Sequence, residues 1–212
     1  MMENVINIRQ LGLTSYLEVY QIMHNFTMQR TELTLDEIWL TEHHAVFTQG
    51  KTGSPEHLLS DTGSIPIIQT DRGGQITYHG PGQQIMYTMI DIKRRKLSIR
   101  QMVSYLEQSV IETLAKLGIK AEAKKEAPGV YVNEQKICSL GLHIKNGRTL
   151  HGLALNIAMD LTPFKLINPC GYAGLAMTQV SQQTTEFDRT AIAKNLVDAF
   201  AQSLQYQQIH YL

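Results

Sequence analysis

At 212 residues, with 43% hydrophobic and 18% charged side chains, the chain is long enough to bury a core without disulfides or metals and is neither disordered nor fibrous. Lysine plus arginine and aspartate plus glutamate balance at 19 each, so no global field draws it to nucleic acid or to an anionic membrane. No stretch approaches the roughly 18 uninterrupted apolar residues of a membrane span, and the opening MMENVINIRQLG lacks a signal-peptide core, so a cytoplasmic location is expected.

In chain order, apolar Tyr16, Val19, Tyr20, Met23, Phe26 and Met28 recur at near-helical spacing and predict an amphipathic helix over 15–30. The branched and aromatic runs 37–48 and 65–70 read as strands, bounded by Gly, Asp and Pro. Two more strands, 75–78 and 84–92, flank a turn of Gly80, Pro81 and Gly82. Ser98 and Gln101 form a capping box for a helix with the apolar face Met102, Val103, Leu106, Val110, Leu114 and Leu117, stopped by Gly118. Residues 129–157 alternate strands with turns, and Asn146-Gly147 is a hairpin signal, so an antiparallel meander is expected. Residues 161–181 contain two prolines and two glycines without a period and predict a long ordered loop; a final helix follows at about 189–205. Strands and helices without regular βαβ alternation predict one α+β domain over 1–212, with a mixed, mostly antiparallel sheet and packed helices.

Only two cysteines are present, and in a reducing compartment they read as free thiols. Cys170 lies between Pro169 and Gly171, a bend that suits a nucleophile, although a packed thiol is an equal reading. Cys138 sits in a strand-like alternation and reads as packed. Lys136 follows the turn Asn133-Glu134-Gln135 and, taken alone, reads as a solvated edge residue. His79 and His151 are each followed by glycine, which leaves room for a ligand beside the ring; taken singly, both read as structural. Neither metal-ligand spacing nor a phosphate-binding glycine loop occurs, so no metal site and no nucleotide site are expected. The run Lys93-Arg94-Arg95-Lys96 precedes a helix start and reads either as a solvated face or as a dock for an acidic partner.

Four blocks, Arg72 to Gln83 (RGGQITYHGPGQ), Lys136 to Gly141 (KICSLG), His151 to Asn156 (HGLALN) and Ile167 to Gly174 (INPCGYAG), give the chain a resemblance to the lipoyl(octanoyl) transferase family over nearly its whole length. The resemblance implies the fold of the biotin/lipoate protein ligase catalytic domain. It also implies Cys170 as an acyl-thioester nucleophile and Lys136 as the residue that lowers its pKa. The octanoyl and pantetheine-proximal pocket would be lined by Arg72, Gly73, Gly74, Gln75, Ile76, Thr77, Tyr78, His79, Ser139, Leu140, Gly141, Gly152, Leu153 and Ala154. The implied donor is acyl carrier protein, and the implied acceptors are lipoyl domains of 2-oxoacid dehydrogenases and the glycine cleavage H protein. No cofactor, nucleic acid or membrane partner is implied.

Whether Lys136 acts as a neutral base or as an ammonium beside a thiolate stays open. Glycines near 73–74, 80–82 and 171 are candidates to present backbone N–H groups to an oxyanion. Two rival readings are an ATP-dependent lipoate or biotin ligase and an idle binding module on the same fold. Pro169-Cys170-Gly171 and the absence of a GRGRRG loop argue against the first; retention of both Lys136 and Cys170 argues against the second.

Overall fold

The computed structural model describes residues 4–212, so Met1 to Glu3 of the opening segment lie outside it. The strands are β1 (Val5–Thr14), β2 (Asp36–His43), β3 (Val46–Gln49), β4 (Ile67–Gln69), β5 (Ile76–His79), β6 (Gln83–Met89), β7 (Glu122–Ala123), β8 (Gly129–Val132), β9 (Gln135–Lys145), β10 (Arg148–Asn156) and β11 (Gln208–Tyr211). The α-helices among the described residues are α1 (Tyr16–Gln29), α2 (Ile99–Ala115), α3 (Val180–Gln183) and α4 (Arg189–Ser203). Eight strands form one sheet in the order β11-β1-β2-β6-β10-β9-β8-β7, and β4-β3-β5 form a second. Every pair from β2 to β7 across the large sheet is antiparallel, while β1 runs parallel to both β2 and β11. The fold is therefore α+β with a mostly antiparallel sheet.

Strand alternation sends side chains to two layers. Met86, Leu153 and Leu155 face α2 and α4, where they pack with Met102, Leu106, Val110, Leu114, Leu196 and Phe200. Ile85, Tyr87, Met89, Leu150 and Ala154 face the other way, under Val19 and Met23 of α1. The four α2 residues in the first layer are fully buried, each stabilising the fold by roughly 1.5–3 kcal/mol. The capping box forms as read: Gln101 N donates to Ser98 Oγ (3.2 Å) and Ser98 N to Gln101 Oε1 (2.9 Å). On α1 the buried slot four residues after Met23 belongs to Thr27, and Met28 is exposed.

The run 37–48 divides between the two sheets at His44 and Ala45, and Asn146-Gly147 closes the β9–β10 hairpin with positive φ at both residues (53° and 77°). The edge strands β7 and β11, and β1 beside β11, were not anticipated from sequence. Half of the basic run departs from the solvated-face reading, because Arg94 and Arg95 turn inward onto Asp36. Arg94 Nη2 reaches Asp36 Oδ1 at 2.7 Å and Arg95 Nε reaches Oδ2 at 3.2 Å, joined there by Arg30 (2.5 Å) and the Tyr206 hydroxyl (2.5 Å). Only Lys93 and Lys96 of the four are exposed. No helix among the described residues is long and apolar enough to cross a membrane.

The 161–181 segment is ordered by stitches to its surroundings. Lys136 N donates to Ala176 O (2.9 Å) and Thr178 N to Lys136 O (3.0 Å), which lays residues 176–178 alongside β9. Asn168 N donates to His57 O (2.8 Å), which fixes the approach to Cys170.

Candidate active site

These stitches bring Cys170 over Lys136, 34 positions away in sequence, with Nζ donating toward Sγ at 3.4 Å and to Pro128 O at 3.1 Å. Lys136 is only 1% exposed, and its ammonium lies 5.3 Å from the Tyr131 ring centroid and 6.0 Å from that of Tyr172. The edge-lysine reading of Lys136 therefore fails: its stem turns inward because Gly129 on the neighbouring strand leaves the space. A Cβ there would lie 2.7 Å from Lys136 Cε, and Gly129 holds φ at 145°. Burial is the largest influence on Lys136 and favours the neutral amine, but Cys170 and then Tyr131 outweigh it and hold the ammonium above its usual pKa.

Cys170 itself takes φ 56° and ψ 17°, left-handed values that cost a non-glycine residue about 1–2 kcal/mol. Gly171 follows at φ 83°, and a Cβ on it would meet Gln75 Cγ at 2.9 Å. Both cysteines are free thiols, as read. Cys138 is fully buried, and burial pushes its thiol far up, so it is packed and inert.

A narrow cavity, partly open to solvent, lies beside Cys170. Its sheet wall consists of two rows of side chains in register across β6, β10 and β9: Ile85, Ala154 and Ser139 in one, Tyr87, Gly152 and Gly141 in the other. Small residues on β10 and β9 leave the groove open. Gly152 also permits close strand approach, since a Cβ there would lie 2.1 Å from Met86 O, and Gly141 makes room for the Arg72 stem (3.1 Å). From β5, Thr77 and His79 reach the cavity.

The fold does not place the fourteen residues expected to line a pocket alike: nine of them border the cavity beside Cys170. Arg72, Thr77, His79, Ser139, Gly141, Gly152 and Ala154 border the cavity with Cys170. Leu140 and Leu153 border it too, but alternation turns their side chains to the α2 layer. Ile76 and Tyr78 point away, into a separate cluster with Phe47 and Phe164. Gly73, Gly74 and Gln75 form the turn behind the wall, with Gln75 Oε1 accepting from Ser54 N (2.8 Å). The amides of Gly73, Gly82 and Gly171 donate to Leu142 O, Glu42 Oε2 and Asn168 O, so these three are not free for an oxyanion. Arg72 is a buried cation whose hydrogen bonds all end on uncharged oxygens of Thr48 and Gly73.

Tyr16, Ile85 and Tyr87 complete the lining and carried no signal in the sequence beyond apolar periodicity. His151 also reaches the cavity. By alternation it belongs on the α2 side, between Leu150 and Gly152; φ 65° swings it across to Tyr20 and His24 of α1. Its Nε2 lies 2.7 Å from Asp71 Oδ1. Burial favours an ionisable Asp71 staying neutral, but His151, then His24 and His143, outweigh it and hold the carboxyl well below its usual range. Asp71 is thus an acceptor, and His151, held neutral by burial, donates from Nε2.

His24, Asp71 and His151 place ligand atoms within 4.8 Å of one another, a grouping invisible in the sequence. The 2.7 Å His151–Asp71 contact is shorter than the ~3.3 Å edge of a tetrahedron with metal bonds of ~2.0–2.1 Å, and it is a hydrogen bond that fixes the ring. His43 and His79 are likewise neutral at pH 7, burial lowering them to about 4 and about 3.

A cysteine-bearing loop lies over a lysine-bearing hairpin, beside a groove between the two sheets. The chain belongs to the lipoyl protein ligase A/B catalytic domain family, which matches residues 15–201. Solved structures share the fold: a lipoate-protein ligase A bound with ATP (TM-score 0.77, 14% identity, 97% of this chain and 87% of that one) and a biotin protein ligase from Aquifex aeolicus (TM-score 0.56, 13% identity, 97% and 70%). Within the family it stands with the octanoyltransferases. The octanoyltransferase of Klebsiella pneumoniae subsp. pneumoniae is 57% identical over 212 residues, and that of an Escherichia coli strain 54%, each alignment covering 100% of this chain and 99% of the relative.

Proposed function

We propose that this chain transfers an octanoyl group for protein lipoylation through a covalent thioester on Cys170. The observation that carries the route is the buried Lys136 ammonium 3.4 Å from the sulfur, beside a groove lined by small and apolar side chains. Its raised pKa favours the cationic role for Lys136 in the resting enzyme, where it stabilises negative charge on sulfur.

In the first step the Cys170 thiolate attacks the carbonyl carbon of an octanoyl thioester on acyl carrier protein. The carbon–sulfur bond to the carrier breaks, and the departing thiolate takes a proton from Lys136. With the sulfur acylated, its charge no longer supports the ammonium, and burial, the largest influence, then favours the neutral amine. In the second step a lipoyl-domain lysine, as the free amine, attacks the acyl carbon. The bond to Cys170 breaks and Lys136 takes the amine proton, which restores thiolate and ammonium. The acceptors are lipoyl domains of 2-oxoacid dehydrogenases and the glycine cleavage H protein. Exchange of one thioester for another is nearly neutral and amide formation is downhill, so the donor supplies the driving force without nucleotide or cofactor.

Arg72, whose charge interacts with both Cys170 and Tyr16, supplies positive potential along the groove. Thr77, His79, Ser139, Gly141, Gly152 and Ala154 contact the acyl chain. The chain works as one catalytic unit in the cytoplasm, a reading supported by free thiols and by a site that draws on both sheets.

Intact-mass analysis after mixing with octanoyl carrier protein, without acceptor, tests the route. One added octanoyl group, mapped to Cys170 and absent from Cys170→Ala, is expected. Acylation mapped to Cys138, or turnover only with ATP and free octanoate, would overturn it.

A further inference from the structure

We infer that Tyr16 sets the length of acyl chain the enzyme accepts, by closing the end of the groove opposite Cys170. This inference rests on the acyl-thioester reading above and adds the selection of substrate within it.

The sheet order fixes the two ends. Cys170 stands over the β8–β9 side, beside Lys136 of β9 and coupled electrostatically to Tyr131 of β8. Tyr16 stands over the β2–β6 side, edge-on to His43 of β2 at 5.1 Å and stacked on His79 at 5.8 Å. Between them lie β9, β10 and β6, which at about 4.8 Å per strand spacing gives a groove floor of about 10 Å. An extended chain advances about 1.25 Å per carbon–carbon bond of ~1.5 Å, so the seven bonds of an octanoyl chain span about 9 Å. Eight carbons bring the methyl group to the far wall.

That wall is polar and held rigidly. The Tyr87 hydroxyl pairs with His43 Nε2 (2.7 Å), His79 Nδ1 with Gln83 Oε1 (2.7 Å), and Gln83 Nε2 with Asn156 Oδ1 (2.9 Å). A longer chain would have to break these buried bonds or press its methyl group against their polar atoms, and either is unfavourable. Tyr16 differs from its neighbours: its buried hydroxyl lies outside that hydrogen-bonded chain, with Thr70 as a minor partner, and the ring is held mainly by packing on Tyr20, His43 and His79. It also comes from the first turn of α1, so trimming it removes ring packing on His43 and His79 but no sheet hydrogen bond. Tyr16 is therefore the one part of the wall that a single substitution can remove while the hydrogen-bonded remainder stays in place.

The test is a chain-length series, kcat/KM for C6, C8, C10 and C12 carrier thioesters, in wild type, Tyr16→Ala, Tyr16→Leu and Tyr16→Phe. Wild type should lose about tenfold or more for each pair of carbons beyond C8. Tyr16→Ala should raise the C10-to-C8 ratio by about tenfold, with Tyr16→Leu intermediate, because both shorten the wall. Tyr16→Phe should keep the wild-type ratio, because the ring rather than the hydroxyl does the blocking. Tyr16→Leu serves alone should the alanine variant fail to fold. Parallel loss at every chain length, with the C10-to-C8 ratio unchanged in Tyr16→Leu, would show that Tyr16 is structural only and overturn the inference while the thioester route stands. A wild-type enzyme that takes no acyl group from any carrier thioester would remove both.

Discussion

Lys136→Met replaces the buried ammonium by an apolar chain of similar length and removes the charge 3.4 Å from Cys170 Sγ. At an effective dielectric of ~20, unit charges at that separation interact by about 5 kcal/mol. Cys170 is partly exposed, and solvent screening reduces this to about 2–3 kcal/mol. At 1.4 kcal/mol per tenfold, iodoacetamide alkylation of Cys170 at pH 7 should slow by about 30- to 150-fold. Folding should not suffer in proportion, because an apolar residue in place of a buried charge is often neutral or stabilising. The sign with pH follows from the raised pKa of Lys136: its electrostatic contribution is present below the unfolded value of about 10.4 and is lost as pH rises through the higher folded value. The Tm advantage of wild type over the methionine variant, whatever its size at pH 8, should therefore shrink above about pH 10.4. Alkylation of Lys136→Met at the wild-type rate, with Cys170 confirmed as the modified residue, would refute the pairing. Lys136→Arg, which keeps charge but changes the head group, should retain part of the alkylation rate while losing turnover, since arginine cannot take the amine proton.

Gly129→Ala should act on the same pair from behind: its Cβ meets Lys136 Cε at 2.7 Å and Cys138 O at 2.9 Å, and φ 145° strains any side chain. A stability loss of about 2–4 kcal/mol by urea unfolding and slower Cys170 alkylation are expected together, and loss of neither would contradict the packing described. Arg95→Ala should cost about 2–4 kcal/mol by removing part of the charge compensation of buried Asp36, while transfer per folded molecule and its salt dependence stay near wild type; a salt-sensitive rise in KM would restore the docking reading of the basic run. Acid should destabilise the protein between about pH 6.5 and 4. His43 and His79 have depressed pKa values, so the unfolded chain binds protons there that the folded chain refuses, and stability falls with pH. His43→Gln/His79→Gln should flatten Tm against pH in that window, and an unchanged slope would assign it to other groups.

Local physics made much of this protein legible in one dimension. A 3.6-residue period and a capping box announced α1 and α2, and the need for two positive φ values announced the Asn146-Gly147 hairpin. A thiol between proline and glycine marked the Cys170 bend, although its left-handed φ was not foreseen. The resemblance of four blocks named the family before any contact was known. Where the reading failed, the deciding interaction was distant in sequence. Strands β1 and β11 exist because they pair in parallel across the whole length of the chain, and no local period records that. Lys136 looked like an edge lysine until the 161–178 segment covered it, and Arg94 and Arg95 looked solvated until Asp36, 58 and 59 positions earlier, gathered them. Alternation on a strand tells which residues share a face but not which face meets a cavity, so the same principle that placed Thr77 and His79 on the groove sent Ile76 and Tyr78 to another core. Tyr16 is the sharpest case. Its helical period marks it as buried, and only the packing of α1 against β6 and β10 makes that burial the end of a groove, because a cavity is a property of surfaces that meet and not of any one of them.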